Sequence, residues 1–343
     1  MLSSHTKAVV SKMESEVNMG KASTKGLIVR ETLERFPQLS SLSVSRYLVM
    51  EYGELFDHNL ENARSLVRYH RGIKKGNSNF TPNPIRSNIK QPQTKRTKRE
   101  RYSLPQGVWL VIADLHVPFH EMKPIEAAVK YGQSEKIDGL FINGDFQDCE
   151  AVSFWPQTRK RNFNEEIEAT VDMIDFLKHE LKPKKIVYKP GNHEDRLPRQ
   201  FAAAMPDVGL SMGGIIVQTE LLGFEQRGIE YLDSRQLVMA GKLPMFHGHE
   251  LRYSGVVNPA RGLFLKLKSW GMTAHSHRSS EHTETDIYGK VLTTWSMGCL
   301  CDLSPDYSAY ANNWNWGFAL VNVEKDGNFE VVNRRILPNG QVV

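Results

Sequence analysis

Five short clusters of acid, imidazole and amide side chains punctuate the middle of this sequence, and their chemistry is that of cation binding. They read Asp114-Leu115-His116, Asn143-Gly144-Asp145-Phe146-Gln147-Asp148, Gly191-Asn192-His193-Glu194, His247-Gly248-His249 and His275-Ser276-His277. Carboxylates mixed with imidazoles suit borderline cations such as Mn²⁺, Fe or Zn²⁺ better than Ca²⁺ or Mg²⁺. Of the twelve histidines, six fall in these clusters, five of them (His116, His193, His247, His275 and His277) as candidate site residues. Asp114 and His116 are two residues apart, as are His275 and His277, so an extended backbone aims both members of each pair to one side. A single histidine at a strand end is more often structural than a ligand. Five clusters in order, each at a strand end, are not explained that way.

The elements that must position these clusters are legible as apolar runs just before them. Val108–Ala113, Gly139–Asn143, Lys185–Lys189, Leu243–His247 and Met272–Ala274 are predicted strands. Further strands are predicted at Ile229–Leu232, Val291–Trp295 and Gly317–Val323, the last leading into Asn328–Ile336. Helices are predicted over Pro124–Ser134, Asn164–Leu181 and Asn258–Trp270, the second with Ile167, Val171, Ile174 and Leu177 on one face. Alternating strands and helices predict an α/β fold, in which ligands gather at the carboxyl ends of strands.

The rest of the chain differs in character. Residues 1–75 read as a small all-α domain, with helices over Thr24–Phe36, Ser41–Tyr52 and Asn59–Arg71. In the third, Leu60, Ala63, Leu66 and Val67 form an apolar stripe, with Arg64, Arg68 and Arg71 opposite. Three helices of this size resemble a helix-turn-helix module, whose expected partner is nucleic acid; the alternative is a docking or oligomerisation bundle. Residues 76–104 read as a basic, disordered linker before an α/β domain at 105–343. Between Arg86 and Arg101 lie seven Lys/Arg against the single acid Glu100. Such a tract is a solvated linker or a non-specific grip on phosphate backbones.

Composition narrows the class. At 343 residues, 40% hydrophobic, 24% charged and net charge +5, the chain reads as an ordinary globular protein. It has no apolar run of 18 residues, so no membrane span is expected. Met1–Gly20 is polar and lacks the apolar core of a secretory signal, and the three cysteines (Cys149, Cys299, Cys301) form no closed disulfide set. A cytoplasmic location is expected, with the cysteines as small buried hydrophobes.

The order Asp-x-His, Gly-Asp-x-x-Asp, Gly-Asn-His-Glu, His-Gly and x-His-x-His resembles the calcineurin-like metallophosphoesterases, from about Val108 to the C-terminus. The Gly-Asn-His-Glu-Asp-Arg stretch at 191–196 and the Tyr307…Trp314…Gly317 tail are similar to phage and bacterial forms; for a phage-encoded chain the expected location is the host cytoplasm. The resemblance implies a four-layer α/β/β/α sandwich and two divalent ions, Mn²⁺ first, with Fe, Zn²⁺ or Mg²⁺ as alternatives. It implies that Asp114, His116, Asp145 and His277 hold one ion. Asp145 would bridge to a second, completed by Asn192, His247 and His275. The ions would polarise phosphoryl oxygens and acidify a bound water, whose hydroxide attacks phosphorus. His193 would then stabilise the transition state or protonate the leaving group, with Asp148 setting its tautomer. Arg196 and Arg278 are candidate phosphate contacts. His120 and His249 lie near the clusters outside the ligand pattern.

Two departures bear on the substrate. Ala274 replaces the usual glycine before the last His-x-His. Asp148-Cys149-Glu150 stands where the Ser/Thr protein phosphatase branch continues with Arg-Gly, which speaks against protein dephosphorylation. The expected activity is therefore a phosphodiesterase or nuclease acting on nucleic acid. The alternatives are a phosphomonoesterase and a non-catalytic nucleic-acid-binding protein on the same fold.

Overall fold

The computed structural model describes residues 23–72, 100–154, 162–204, 217–251, 257–305 and 312–343. The chain divides into two compact units between residues 96 and 97. Most of the basic tract, Tyr307 and the first 22 residues lie outside the described residues.

The first unit is a three-helix bundle of α1 (Thr24–Arg35), α2 (Ser41–Tyr52) and α3 (Leu60–His70). Each helix begins where a short polar side chain takes up orphan backbone donors. Ser23 Oγ accepts from Gly26 N at 3.2 Å, Ser40 Oγ from Ser43 N at 3.0 Å, and Asn59 Oδ1 from Glu61 N and Asn62 N at 2.8 and 3.2 Å. Ile28, Val29, Val44, Leu48, Phe56, Ala63 and Val67 make its core. The arginines on and just after α3 are partly spoken for. Arg71 donates to Ser41 Oγ at 3.0 Å and to the Leu39 carbonyl at 2.5 Å, and Arg64 lies 3.5 Å from Glu61.

The second unit contains two six-stranded mixed sheets. One has the order β12-β11-β2-β3-β4-β5 and the other β1-β6-β7-β8-β10-β9. The strands are β1 (Tyr102–Leu104), β2 (Gly107–Ile112), β3 (Gly139–Asn143), β4 (Lys185–Lys189), β5 (Ile229–Tyr231) and β6 (Val238–Ala240). The rest are β7 (Leu243–Met245), β8 (Gly271–Thr273), β9 (Ser280–Thr285), β10 (Val291–Ser296), β11 (Trp316–Val323) and β12 (Phe329–Ile336). In the first sheet β2, β3, β4 and β5 run parallel; in the second, β7, β8 and β10 do.

Strand alternation builds the layers. Trp109, Val111, Phe141 and Val187 face Val238, Leu243, Met245 and Met272 of the other sheet in one apolar core. The intervening Leu110, Ile112, Leu140 and Ile186 point the opposite way, against α4 (Met122–Ser134) and α5 (Phe163–Leu181) through Ile125, Ala128, Ile174 and Leu177. A further helix, Pro259–Leu267, covers β8, β9 and β10 on the second sheet's outer side. The result is the four-layer α/β/β/α sandwich that the resemblance implied.

One boundary moves. Tyr102–Leu104 lies in the stretch read as linker, yet it forms β1 and pairs in parallel with Val238–Ala240. Three residues are too few to show a period, so composition alone reads them with the basic tract.

Candidate metal centre

Each cluster begins within three residues of a strand's C-terminal end. Asp114 and His116 follow β2, Asp145 follows β3, Asn192 and His193 follow β4, His247 follows β7, and His275 and His277 follow β8. Parallel pairing within each sheet sends these loops out at one end, where the two sheets converge. The backbone there is strained: Asp114, His116, Asp145, His275 and His277 all have positive φ, between 50° and 62°. Non-glycine residues enter this region at a cost of roughly 1–3 kcal/mol each, and such strain clusters at functional sites.

Asp145 sits at the centre. Its Oδ2 lies 3.1 Å from His247 Nε2, 3.9 Å from His275 Nδ1, 3.9 Å from His193 Nε2 and 4.0 Å from His116 Nε2. Beside it, His277 Nε2 is 3.2 Å from both Asp114 Oδ1 and His116 Nε2. Asp114, His116 and Asp145 bring ligand atoms within 4.8 Å of one another, and so do Asp145, His247 and His275. Two ligand sets thus share one carboxylate.

The fit to cations rests on donor atoms that are buried without a well-formed hydrogen bond. Asn192 Oδ1 has no partner among the described residues, and Asp114 Oδ1 and His247 Nε2 meet only the charged groups of His277 and Asp145, at 3.2 and 3.1 Å. A cation is the partner that satisfies oxygens and an imidazole nitrogen together. Tautomers agree with this. The His247 Nδ1–H donates to the Asn143 carbonyl at 2.8 Å, and His116 Nδ1 meets Asp148 Oδ1 at 2.8 Å, so both rings present Nε2 inward. Fixing one ring nitrogen from behind is how metal-binding histidines are oriented.

The charge balance also calls for cations. Burial opposes ionisation of Asp145, but His247 and His193 outweigh it and hold the carboxyl well below its usual range. Burial likewise opposes charge on His247, yet Asp145 and Asp114 raise it to about 10. His193 is pushed up to about 9: burial works against it, while Asp145 and Asp148 more than compensate. The carboxylates draw positive charge onto any group they can reach.

The structure sharpens the role of Asp148. Its carboxylate meets His116 Nδ1 at 2.8 Å and lies 3.1 Å from His193 Nδ1, while its main-chain carbonyl accepts from His193 Nδ1 at 2.9 Å. One residue therefore braces both histidines. Arg196 joins the group, donating to the Asp148 carbonyl at 2.8 Å and lying 3.3 Å from His193 Nε2. Arg278 instead donates to the Val257 carbonyl at 3.4 Å. His249 Nδ1 lies 3.4 Å from Glu250 and burial depresses the ring to about 4; half-buried His120 has an unbonded Nδ1. Cys149, Cys299 and Cys301 are buried free thiols.

Three residues that hold the site had no assigned role in the sequence. Glu194 is fully buried and accepts from the backbone N–H of Asp145, Phe146, Gln147 and Gly191 at 2.7–3.1 Å, and from Tyr188 Oη at 2.8 Å. Glu250 pairs with buried Lys189 at 2.6 Å and accepts from His247 N and Gly248 N at 3.2 and 2.7 Å. At Gly191 only glycine fits, because a Cβ there would strike the Asp145 carboxylate and backbone.

The calcineurin-like phosphoesterase family model matches residues 109–283, slightly more than half of the chain and spanning all five clusters. This chain is a calcineurin-like phosphoesterase. It therefore belongs to a family of metal-dependent phosphoester hydrolases. Among its relatives is the Gene 54 protein of Mycobacterium phage L5, 27% identical over 233 residues, covering 63% of this chain and 88% of the relative. The Gene 54 protein of Mycobacterium phage D29 is 26% identical over 233 residues, covering 64% and 89%. Vps29 of Chaetomium thermophilum aligns at 15% identity and a TM-score of 0.39, covering 69% of the phosphoesterase and 94% of Vps29. Among the described residues of the phosphoesterase, no helix is long and apolar enough to cross a membrane.

Proposed function

We propose that this phosphoesterase is a two-metal phosphodiesterase that cleaves nucleic acid. The observation that carries the two-metal reading is Asp145, a buried carboxylate placed between two ligand sets. Asp114, His116, Asp145 and His277 would hold one cation, and Asp145, Asn192, His247 and His275 the other. The mixed oxygen and imidazole donors favour Mn²⁺. Such a pair of cations supplies polarisation of the phosphoryl oxygens and a more acidic water.

The chain's own residues do the rest. His193, whose ring Asp148 orients through Nδ1, would deliver a proton from Nε2 to the leaving oxygen. Arg196 keeps the Asp148 carbonyl and the His193 ring in register, so binding substrate phosphate is a second task for it rather than its sole one. The neutral Asn192 amide adds a donor oxygen without a further negative charge, which favours an anionic substrate.

Support for nucleic acid comes from the basic tract between Arg86 and Arg101 and from the helical unit at 1–75, joined to the catalytic domain through a linker. The absence of Arg-Gly after Asp148 weighs against a protein phosphatase, and the complete ligand set weighs against a decayed, non-catalytic fold. Similarity to the two mycobacteriophage proteins favours a phage-encoded enzyme acting in the host cytoplasm. The test is a Mn²⁺ substrate panel of monoester and diester dyes, DNA, RNA and a phosphopeptide. Diester and nucleic-acid turnover, about two metals per chain, and loss of at least about 10²–10³-fold in kcat for Asp145→Asn are expected. Turnover of monoesters alone would replace this reading with the phosphomonoesterase.

A further inference from the structure

Trp314 is the aromatic residue of the C-terminal tail that the metal centre leaves without a task. Its ring centroid lies 4.2 Å from that of His277, at an interplanar angle of 65°. His277 is only 5% exposed, whereas Trp314 remains partly open to solvent. The indole therefore stands one ring away from the candidate ligand atoms, since His277 Nε2 lies 3.2 Å from Asp114 Oδ1.

The segment that carries it is pinned to the site. Asn315 N donates to the His277 carbonyl at 2.9 Å, and Cys299 N donates to the Asn315 carbonyl at 3.0 Å. The Asn315 side chain accepts from Ser279 N at 2.9 Å, and the Trp314 N–H donates to Asn312 Oδ1 at 3.0 Å. A large, half-exposed aromatic held by its backbone loses little freedom when a flat ligand lands on it. Exposed Asn313 adjoins it, in a left-handed conformation with φ 61°.

We propose that Trp314 is the platform on which a nucleobase of the substrate stacks, so that it selects nucleosidyl phosphoesters over base-free ones. This rests on the phosphodiesterase reading above and names the group that the site recognises beside the phosphate. Every base offers a π-face, so stacking selects nucleic acid as a class and tolerates sequence.

Two diesters that release the same chromophore test it: thymidine 5′-(p-nitrophenyl phosphate) and methyl p-nitrophenyl phosphate. In full-length Trp314→Ala the preference for the thymidine ester, as a ratio of kcat/KM, should fall by about 5–150-fold, mainly through KM. Trp314→Phe should keep most of the preference. An unchanged ratio in Trp314→Ala, with both esters falling together, would make the indole a mere cover for His277 and overturn the proposal. Should the wild type hydrolyse neither diester, the activity reading fails, and calorimetric binding decides the inference by itself. Thymidine monophosphate must then bind the Mn²⁺-loaded protein more tightly than methyl phosphate, and Trp314→Ala must lose that difference. Equal affinities in the wild type overturn the proposal.

Discussion

The five strained residues of the metal centre show how a backbone conformation can be kept for aim rather than for stability. His275 is the informative case, because it is 43% exposed and has φ 62°. Glycine enters this region freely, while alanine carries the same Cβ conflict as histidine. His275→Gly and His275→Ala should therefore both weaken metal binding and turnover, yet the glycine variant should be more stable by roughly 1 kcal/mol. Urea denaturation of the metal-free proteins measures the difference; equal stabilities would mean that the turn relaxes when the imidazole is gone. At this scale side-chain type marked the five clusters as cation-binding chemistry. The proposed ligand set of Asp114, His116, Asp145, Asn192, His247, His275 and His277 came from the family resemblance in their order. Glu194 and Glu250 gained no role from either, because most of their partners are backbone N–H groups, which leave no trace in residue identity. The double duty of Asp148 was hidden for a similar reason, since its carboxylate reaches both His116 and His193 and its carbonyl adds a second contact to His193.

Elements matter here through how they grip the loop from Asp145 to Val152. Glu194 holds its first half. The second half is held from α5, where buried Glu166 accepts a short hydrogen bond from Cys149 N. Burial raises the Glu166 carboxyl, nearby Asp148 adds to this, and the N–H groups of Cys149 and Ala151 pull it back, leaving it at about 7 against an ordinary 4.5. The folded state therefore keeps a proton that the unfolded chain has released, and stability falls as pH rises from about 4.5 through 7. Glu166→Gln mimics the protonated form and should remove that slope. Its stability relative to wild type should rise between pH 5 and pH 8, by an amount on the order of 3 kcal/mol at most. Parallel pH curves from denaturant titrations would show that Glu166 does not ionise in this window. The elements themselves were legible where they are long and apolar: α2, β3 and β4 have the expected bounds. Strand β9 was not, because Ser280–Thr285 is a polar, mostly exposed edge strand without alternation. The helix Arg196–Ala204 was not among the predicted elements; its Pro198 falls in the first turn, where proline is tolerated.

At the scale of the whole molecule, the helical unit and the sandwich have separate apolar cores. Sequence composition located both, but it misplaced their junction, since β1 belongs to the sandwich and completes an edge beside β6. A chain shortened for function must therefore start before Tyr102 rather than at Pro105. Starting at Glu100 keeps β1 and removes six of the seven basic residues between Arg86 and Arg101, leaving Arg101. Hydrolysis of a small diester dye should survive this cut, because the five ligand clusters and their supporting carboxylates all lie beyond residue 100. Affinity for nucleic acid should not. Each phosphate that the protein no longer neutralises flattens the plot of log affinity against log salt by about 0.7–0.9, so the shortened protein should bind more weakly and respond less to salt. The internal contacts of Arg64 and Arg71 favour the basic tract over the bundle as the source of most of that effect. Replacing the six basic residues by glutamine in the full chain should then reproduce most of the loss. If the salt slope instead stays with the full chain carrying these glutamines and vanishes only on removal of residues 1–75, the bundle rather than the tract grips the phosphates.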